Sequence, residues 1–125
     1  MAVTQRTITD NAYEVKQLIN LSNHSAAVTL DASALANAEA SGDKLEIVRV
    51  EWSVDADVSI SYTGTGTTNA LIVAGGTAGK WDKGIIVNSA TQPGNATDAD
   101  ITISPIAACY GYVYIEARKT TGFGN

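Results

Sequence analysis

One glycine-rich segment has the residue types of a phosphate-binding loop: 74-AGGTAGKWDKG-84, which follows the apolar run 71-LIV-73. A Walker loop needs a glycine, four further residues and then Gly-Lys-Ser or Gly-Lys-Thr, so that backbone N–H groups and a hydroxyl hold the magnesium nucleotide. Here Ala74 stands where the first glycine is required, and Trp81 replaces the hydroxyl residue. We therefore predict a turn between two strands and no nucleotide site.

Nucleophilic and zinc chemistry are limited by the number of suitable side chains. His24 is the only histidine and Cys109 the only cysteine. Covalent catalysis needs a nucleophile beside an oriented base, and nothing in the sequence brings these two residues together. We expect His24 to be a solvated loop residue and Cys109 to be a small buried one. A structural zinc site needs more ligands, so the chain is predicted to be no enzyme and to bind no cofactor.

Two pairs of aspartates are the remaining candidates for holding a metal ion, namely Asp55 with Asp57 and Asp98 with Asp100. Carboxylate oxygens at this spacing could chelate calcium if loop carbonyls completed the site. No Asp-x-Asp-x-Asp-Gly calcium loop accompanies either pair in the sequence. We therefore predict that these aspartates are solvated turn residues and that there is no metal site.

Three tyrosines alternate along one predicted strand, at Tyr110, Tyr112 and Tyr114. Alternate residues of a strand share one face, so the three rings form a stripe. Tyrosine buries a large area and keeps a polar tip, which suits stacking on sugars or a contact with a protein partner. The same stripe could equally lie in the core or under a loop, and the sequence leaves both possibilities open.

Composition and charge exclude several classes of partner. Charged residues make up 17% of the chain, hydrophobic residues 45%, and the net charge is −5. Nucleic-acid binding needs clustered Lys and Arg, whereas the eight basic residues here are scattered. No apolar run approaches the length of a membrane span, and the first residues do not resemble a signal peptide. We expect a soluble protein made in a cytoplasm that binds neither nucleic acid nor membrane.

The hydrophobic pattern has a period of two along most of the chain, as in 57-DVSISY-62 and 100-DITIS-104. In 44-KLEIVRVEWSV-54 the apolar residues change parity, which indicates a β-bulge near Ile47 or a strand that exchanges its buried face. One short helix or helical turn is expected near 32–41, because that segment is rich in alanine. The sequence predicts an all-β fold, an antiparallel β-sandwich or jelly-roll-like domain.

The chain divides into an N-terminal arm (1–12), a single β-sandwich domain (13–119) and a C-terminal tail (120–125). Both terminal segments are polar but carry isolated apolar residues, notably Val3, Ile8 and Phe123. Tails with such anchors often become ordered only against a neighbour. We name these three residues, together with the tyrosine stripe, as candidate partner contacts.

From about residue 44 onward the chain resembles small β-rich virion structural and capsid-decoration (cement) proteins of tailed bacteriophages. The resemblance is carried by an order of strands and aromatic residues: 47-IVRVEWSVDADVSISYTG-64, 79-GKW-81, 93-PGNATDADITIS-104 and 110-YGYVYIEARKTTGFG-124. It implies a protein on the capsid surface of the virion, synthesised in the cytoplasm of a bacterial host. It also implies that the partner is the major capsid protein and that the chain is a homo-oligomer, with a trimer favoured.

Two alternative functions stay open beside capsid decoration. The first is another virion component, in the neck, in the tail or at a fibre attachment. The second is a carbohydrate-binding β-sandwich module that uses Trp52, Trp81 or the tyrosines as stacking platforms for sugars. A decoration protein would stabilise the head by binding only its assembled form, whereas a carbohydrate-binding module would show a saccharide preference.

Overall fold

The computed structural model describes residues 2–36, 38, 45–63, 67–84 and 100–119. Within these residues the chain forms nine β-strands and one short 3-10 turn, so the predicted all-β class is confirmed. The strands are β1 (Ala2–Asp10), β2 (Glu14–His24), β3 (Val28–Leu30), β4 (Leu45–Val54), β5 (Val58–Thr63), β6 (Thr67–Val73), β7 (Thr77–Trp81), β8 (Asp100–Pro105) and β9 (Cys109–Lys119).

The strands form two antiparallel sheets that pack face to face as a β-sandwich. The five-stranded sheet has the order β1-β2-β9-β4-β7, and the four-stranded sheet has the order β3-β8-β5-β6. Apolar residues at alternate positions of both sheets meet in one buried cluster. No helix in the described part of the chain is long and apolar enough to span a membrane.

A β-bulge in β4 accounts for the change of parity of its apolar residues, and this is one of the two structures that the sequence pattern indicated. The register of β4 against β9 shifts between Ile47 and Arg49, so one extra residue is accommodated there. As a result Leu45 and Ile47, before the bulge, and Val50, after it, are all fully buried. The bulge keeps the apolar side of the strand facing the core along its whole length.

A tyrosine hydroxyl in the core satisfies a backbone group at this bulge. The Ile47 N–H donates a hydrogen bond of 2.8 Å to the hydroxyl of Tyr62, which lies on β5 in the other sheet. Tyr62 is almost completely buried, and this burial raises the pKa of its phenol above the ordinary value. The contact therefore joins the two sheets through a polar bond inside an apolar core.

Removing this hydroxyl with Tyr62→Phe is expected to lower the free energy of unfolding by about 1–3 kcal/mol, because the Ile47 N–H loses its acceptor while it stays buried. Urea denaturation followed by circular dichroism measures the change. Tyr110→Phe is the matched control, since its ring is exposed and its hydroxyl loss should change stability little. Equal effects of the two substitutions would contradict this role for Tyr62.

The helical segment expected near 32–41 is a single 3-10 turn at Ala32–Ala34. The side chain of Asp100 accepts the Ala32 N–H at 2.8 Å, which links the start of this turn to β8 in the sandwich. Residues 37 and 39–41 of the predicted segment lie outside the described residues.

Residues predicted as an N-terminal arm form β1, an edge strand of the five-stranded sheet. Val3 lies opposite Leu21 on the inner side of the sheet, and Ile8 lies at a bulge between Thr7 and Thr9. Both apolar side chains are exposed. The predicted arm therefore contains a strand that pairs with β2, while the predicted tail 120–125 with Phe123 lies outside the described residues.

Candidate functional site

The tyrosine stripe lies on the outer face of the five-stranded sheet, on its central strand β9. Tyr110 is 53% exposed and Tyr112 is 37% exposed, while Tyr114 is half-buried. The alternate residues of β9, such as Val113 and Ile115, point into the core and are fully buried. Of the two possibilities that the sequence left open, the structure therefore selects a surface. We call Tyr110, Tyr112 and Tyr114 the tyrosine surface.

The backbone of Gly111 sets the position of the first two rings. Gly111 has a φ of +134°, and a Cβ atom at this position would lie 1.9 Å from the carbonyl oxygen of Ser53 on β4. This close approach lets both backbone polar groups of Tyr110, its N–H and its carbonyl, form hydrogen bonds with Asp55 at the end of β4. Its N–H donates to the Asp55 carboxylate at 2.7 Å, and its carbonyl accepts the Asp55 N–H at 3.2 Å.

Polar side chains surround the tyrosine surface in two rows that cross the sheet. Residues directly opposite each other on antiparallel strands share a face, so the strand registers define each row. The row through Tyr112 contains Thr4, Asn20, Ser53 and Ala78. The row through Tyr114 contains Arg6, Leu18, Glu51 and Lys80. The surface thus combines aromatic rings with both hydrogen-bond donors and acceptors.

Tyr114 is held in place by its own strand. Its hydroxyl donates a hydrogen bond of 2.8 Å to the Glu116 carboxylate. Desolvation, together with this hydrogen bond and the negative charge of Glu116, raises the pKa of Tyr114 to about 12. Its phenol is therefore a neutral hydrogen-bond donor throughout the physiological pH range. On the neighbouring strand Arg49 and Glu51 form an ion pair at 3.3 Å.

The raised pKa of Tyr114 predicts a specific loss of stability in alkali. A phenol whose pKa is higher in the folded than in the unfolded state stabilises the fold fully below the unfolded pKa of 10.0, and this contribution is lost as the pH rises toward about 12. Relative to Tyr114→Phe, which cannot ionise, the wild-type protein should lose unfolding free energy across that window. Urea denaturation at a series of pH values measures it. A constant difference between the two proteins would rule out the shift.

Trp52 and Trp81, predicted as alternative stacking platforms, do not lie on this surface. Both are half-buried on the inner side of β4 and β7 and pack against the core. The indole N–H of Trp52 donates to the hydroxyl of Thr77 at 3.2 Å, and that of Trp81 donates to the carbonyl of Gly84 at 3.0 Å. Both rings pack against the buried core, so neither tryptophan belongs to the tyrosine surface.

The glycine-rich segment contains a turn, as predicted, but the turn is short. Gly76 has a φ of +77°, and its N–H donates to the carbonyl of Val54 at 2.8 Å. From Thr77 to Trp81 the segment is strand β7, and Gly79 lies beneath the Trp52 ring. A Cβ atom on Gly79 would lie 3.1 Å from Cζ2 of that ring. This glycine makes room for an indole and not for a phosphate.

Three of the four paired aspartates accept hydrogen bonds from backbone N–H groups. Asp55 accepts the Tyr110 N–H, and Asp57 accepts the Gly75 N–H at 2.6 Å. Asp100 caps the 3-10 turn, while Asp98 lies outside the described residues. Within the described ranges, no group of three His, Cys, Asp or Glu side chains is arranged to hold a metal ion.

His24 and Cys109 lie opposite each other across β2 and β9, a proximity that the sequence did not reveal. Cys109 is fully buried, as predicted. The two imidazole nitrogens of His24 are also shielded from solvent and have no hydrogen-bond partner in the described structure, in contrast to the predicted solvated side chain. Because the thiol is sealed in the core, the pair offers no accessible nucleophile.

A buried ion pair at the other end of β9 was not predicted from the sequence. The Lys119 side chain is 0% exposed, and its ammonium group donates to the Asp10 carboxylate and to the carbonyls of Asn11 and Ala36. These contacts join the ends of β1 and β9 to the segment after the 3-10 turn. No sequence motif marks the pair, because its members are 109 residues apart.

Comparisons with known proteins bear on the fold alone. No family and no curated protein matches the sequence. Among solved structures, a mutant of a carbohydrate binding module of family 29 has a TM-score of 0.50 at 13% identity, covering 95% of this chain and 93% of its own. A second structure of a carbohydrate binding module of family 29 has a TM-score of 0.49 at 13% identity, covering 96% and 90%. The first of these similarities supports the β-sandwich architecture.

Proposed function

We propose that the protein is a non-enzymatic binding module whose tyrosine surface binds carbohydrate. The observation that carries the proposal is the exposure of Tyr110 and Tyr112 on a sheet face between polar side chains. A sugar ring has an apolar C–H face and a rim of hydroxyl groups. Aromatic rings can cover the first, and polar neighbours can bond the second.

The polar groups around the rings match the hydroxyls of a saccharide. Asn20 offers an amide that both donates and accepts, and Glu51 offers a carboxylate that accepts. The Tyr114 hydroxyl is already committed to Glu116, which leaves its ring and not its oxygen as the binding element. The strands of the sheet are fixed by packing on the core, so a ligand would meet groups that are already positioned.

The fold gives this proposal limited support. A β-sandwich of similar topology occurs in a carbohydrate binding module, so the architecture is compatible with sugar binding. At 13% identity a shared fold does not transfer a ligand. The proposal therefore depends on the chemistry of the tyrosine surface.

Affinity electrophoresis in gels that contain neutral polysaccharides, followed by calorimetry with the saccharide that retards the protein most, tests the proposal. The double variant Tyr110→Ala/Tyr112→Ala should weaken binding by about tenfold to a hundredfold, since each stacked ring contributes about 0.5–1.5 kcal/mol beyond its area. Tyr13→Ala is the matched control, because Tyr13 is the most exposed tyrosine and lies in the turn before β2. Absence of binding to every saccharide, or an equal loss in the control, would refute it.

The second candidate is a virion surface protein that binds the major capsid protein, as a homo-oligomer. The observation that favours it is the edge strand β1, which has nine residues and contains neither lysine nor proline. Natural proteins usually protect exposed edges with such residues. The stretch 2–7 of β1 before the bulge at Ile8 pairs regularly with β2, and its unpaired edge beside the exposed Val3 suits pairing with a neighbouring subunit. The tyrosine surface would then be a protein contact.

Quantitative mass spectrometry of gradient-purified virions tests this second candidate. A copy number of the same order as that of the major capsid protein would support decoration of the head. A few copies per particle would move the protein to the neck, the tail or a fibre attachment. Absence from the particle would remove the virion role and leave carbohydrate binding.

A further inference from the structure

A polar cleft opens on the inner side of the five-stranded sheet, beside its edge. β1 has nine residues, but β3, which faces it from the other sheet, has only three. The inner face of β1 is therefore left uncovered next to β3 and the 3-10 turn. The resulting cleft has a volume of about 350 Å³, near the lower limit for ligand-binding pockets.

A chain of hydrogen bonds fixes the orientation of the amide groups that line the cleft. Gln5 Nε2 donates to the Thr29 carbonyl at 2.9 Å and to Gln17 Oε1 at 2.7 Å, and Gln17 Nε2 donates to Thr7 Oγ1 at 3.2 Å. The Thr29 carbonyl can only accept, so the amide of Gln5 cannot be reversed. Gln17, which is 5% exposed, is oriented in turn by Gln5.

This chain leaves defined groups available to a ligand. Both N–H groups of Gln5 are used, so its Oε1 is the acceptor that remains. The Thr7 oxygen already accepts from Gln17, so its hydroxyl proton is the donor that remains. Neither group has another partner among the described residues. A fixed acceptor and a fixed donor on one strand match a molecule whose neighbouring hydroxyl groups can each donate and accept.

The remaining lining offers no counter-charge to an anion and supplies an apolar wall. The cleft has no lysine or arginine among its lining residues, so an anion would lack a counter-charge. Asp10, at one end, is already paired with Lys119 and bonded by the Ala36 N–H. Leu35, which is half-buried, provides an apolar side, against which the C–H face of a small ring can pack.

From these features we propose that the cleft is a second binding site, for one sugar unit or a similar uncharged polyol. Gln5 and Thr7 bind its hydroxyls, and Leu35 packs against its ring. The cleft lies on the opposite face of the sheet from the tyrosine surface, since Thr7 is paired with buried Gln17 and Arg6 with outward Leu18. The proposal goes beyond binding at the tyrosine surface and does not need it, and both sites can be occupied together.

Titration of the isotope-labelled full chain with neutral methyl glycosides, followed by NMR of the glutamine side-chain amides, tests the site. The Gln5 and Gln17 amide signals should shift at up to tens of millimolar glycoside. Thr7→Val, which keeps the side-chain shape and removes the hydroxyl, should weaken this binding by about fivefold to tenfold. Thr9→Val is the matched control, because Thr9 lies on the same strand but opposite Lys16 on the outer face, outside the two rows around the tyrosine surface.

The outcomes separate this site from the tyrosine surface. Glutamine amide shifts that persist in Tyr110→Ala/Tyr112→Ala support a separate site. Shifts confined to the tyrosine surface, no shift of the glutamine amides with any neutral glycoside, or equal binding by Thr7→Val and wild type would overturn the proposal. A response of these amides to inorganic phosphate alone would also overturn it, because an uncharged ligand is required.

Discussion

Gly111→Ala is expected to abolish most of the stability of the fold. The new Cβ atom would lie 1.9 Å from the Ser53 carbonyl oxygen and 3.0 Å from the Val54 Cα. Both contacts are with backbone, which cannot rotate away as a side chain does. The φ of +134° adds strain for any residue with a side chain. We expect a loss of more than about 4 kcal/mol, a large part of the total for a domain of this size.

The surroundings of Gly111 prevent the strand from moving aside. β9 is the central strand of its sheet, and Gly111 is paired with Leu21 on one side and Val54 on the other. A displacement would break the hydrogen bonds of Tyr110 to Asp55 and shift the tyrosine surface. Even a variant that folds should therefore lose the saccharide binding that we propose for this surface.

Circular dichroism during urea denaturation measures the effect of Gly111→Ala. Gly76→Ala is the matched control, because Gly76 also has a positive φ, +77°, but a Cβ there would meet no atom within 4 Å. Its cost should be limited to the backbone preference, about 1 kcal/mol. If both variants unfold at the same urea concentration, the steric argument for Gly111 is wrong.

Asp10→Ala is expected to have the second largest effect, a loss of about 3–5 kcal/mol. Lys119 has no exposed side-chain surface, so removal of Asp10 leaves a buried ammonium group without its counter-charge. The carbonyls of Asn11 and Ala36 remain as partners, but they carry no full charge. These contacts connect β1, β9 and the segment after the 3-10 turn, so the substitution should destabilise all three elements at this end of the sandwich.

Comparison with a second substitution identifies the cause. In Asp10→Ala/Lys119→Met the buried charge is gone, and this double variant should be more stable than Asp10→Ala alone. Asp82→Ala removes the partner of Lys80 in an exposed pair at 3.5 Å and should change stability by less than about 1 kcal/mol. Thermal and urea unfolding of the four proteins provide the measurement. A double variant less stable than Asp10→Ala would contradict the account.

The hydrophobic pattern of the sequence correctly predicted the strands that bury one face and expose the other to solvent. The alternation around Val113 and Ile115 in β9 placed the tyrosines on one face, and the change of parity at Ile47 indicated the bulge. β1 was missed because both of its faces are largely exposed, so its residues carry no hydrophobic period. Edge strands of this kind lack the burial pattern on which such predictions depend.

The candidate site could be predicted only in part for a related reason. The tyrosine stripe is a local pattern within one strand and was identified, although its exposure was not. The glutamine chain in the cleft and the Asp10–Lys119 pair join residues that are distant in sequence, so no spacing indicates them. Trp52 and Trp81 are of the residue type that stacks on sugars, but in the fold both rings pack against the core. The residue type alone does not indicate this packing.

The arrangement of β1, β2 and β9 also determines how the domain would respond to force. Ala2 lies opposite Ser22 at one end of the five-stranded sheet, whereas Lys119 lies opposite Leu45 at the other. At about 3.3 Å per residue, the nine residues of β1 separate these ends by about 30 Å. Because β1 and β9 both run antiparallel to β2, tension applied at Ala2 and Lys119 would slide the strands along each other. Their hydrogen bonds would then be loaded together and not one after another, which makes the sandwich a mechanically resistant link.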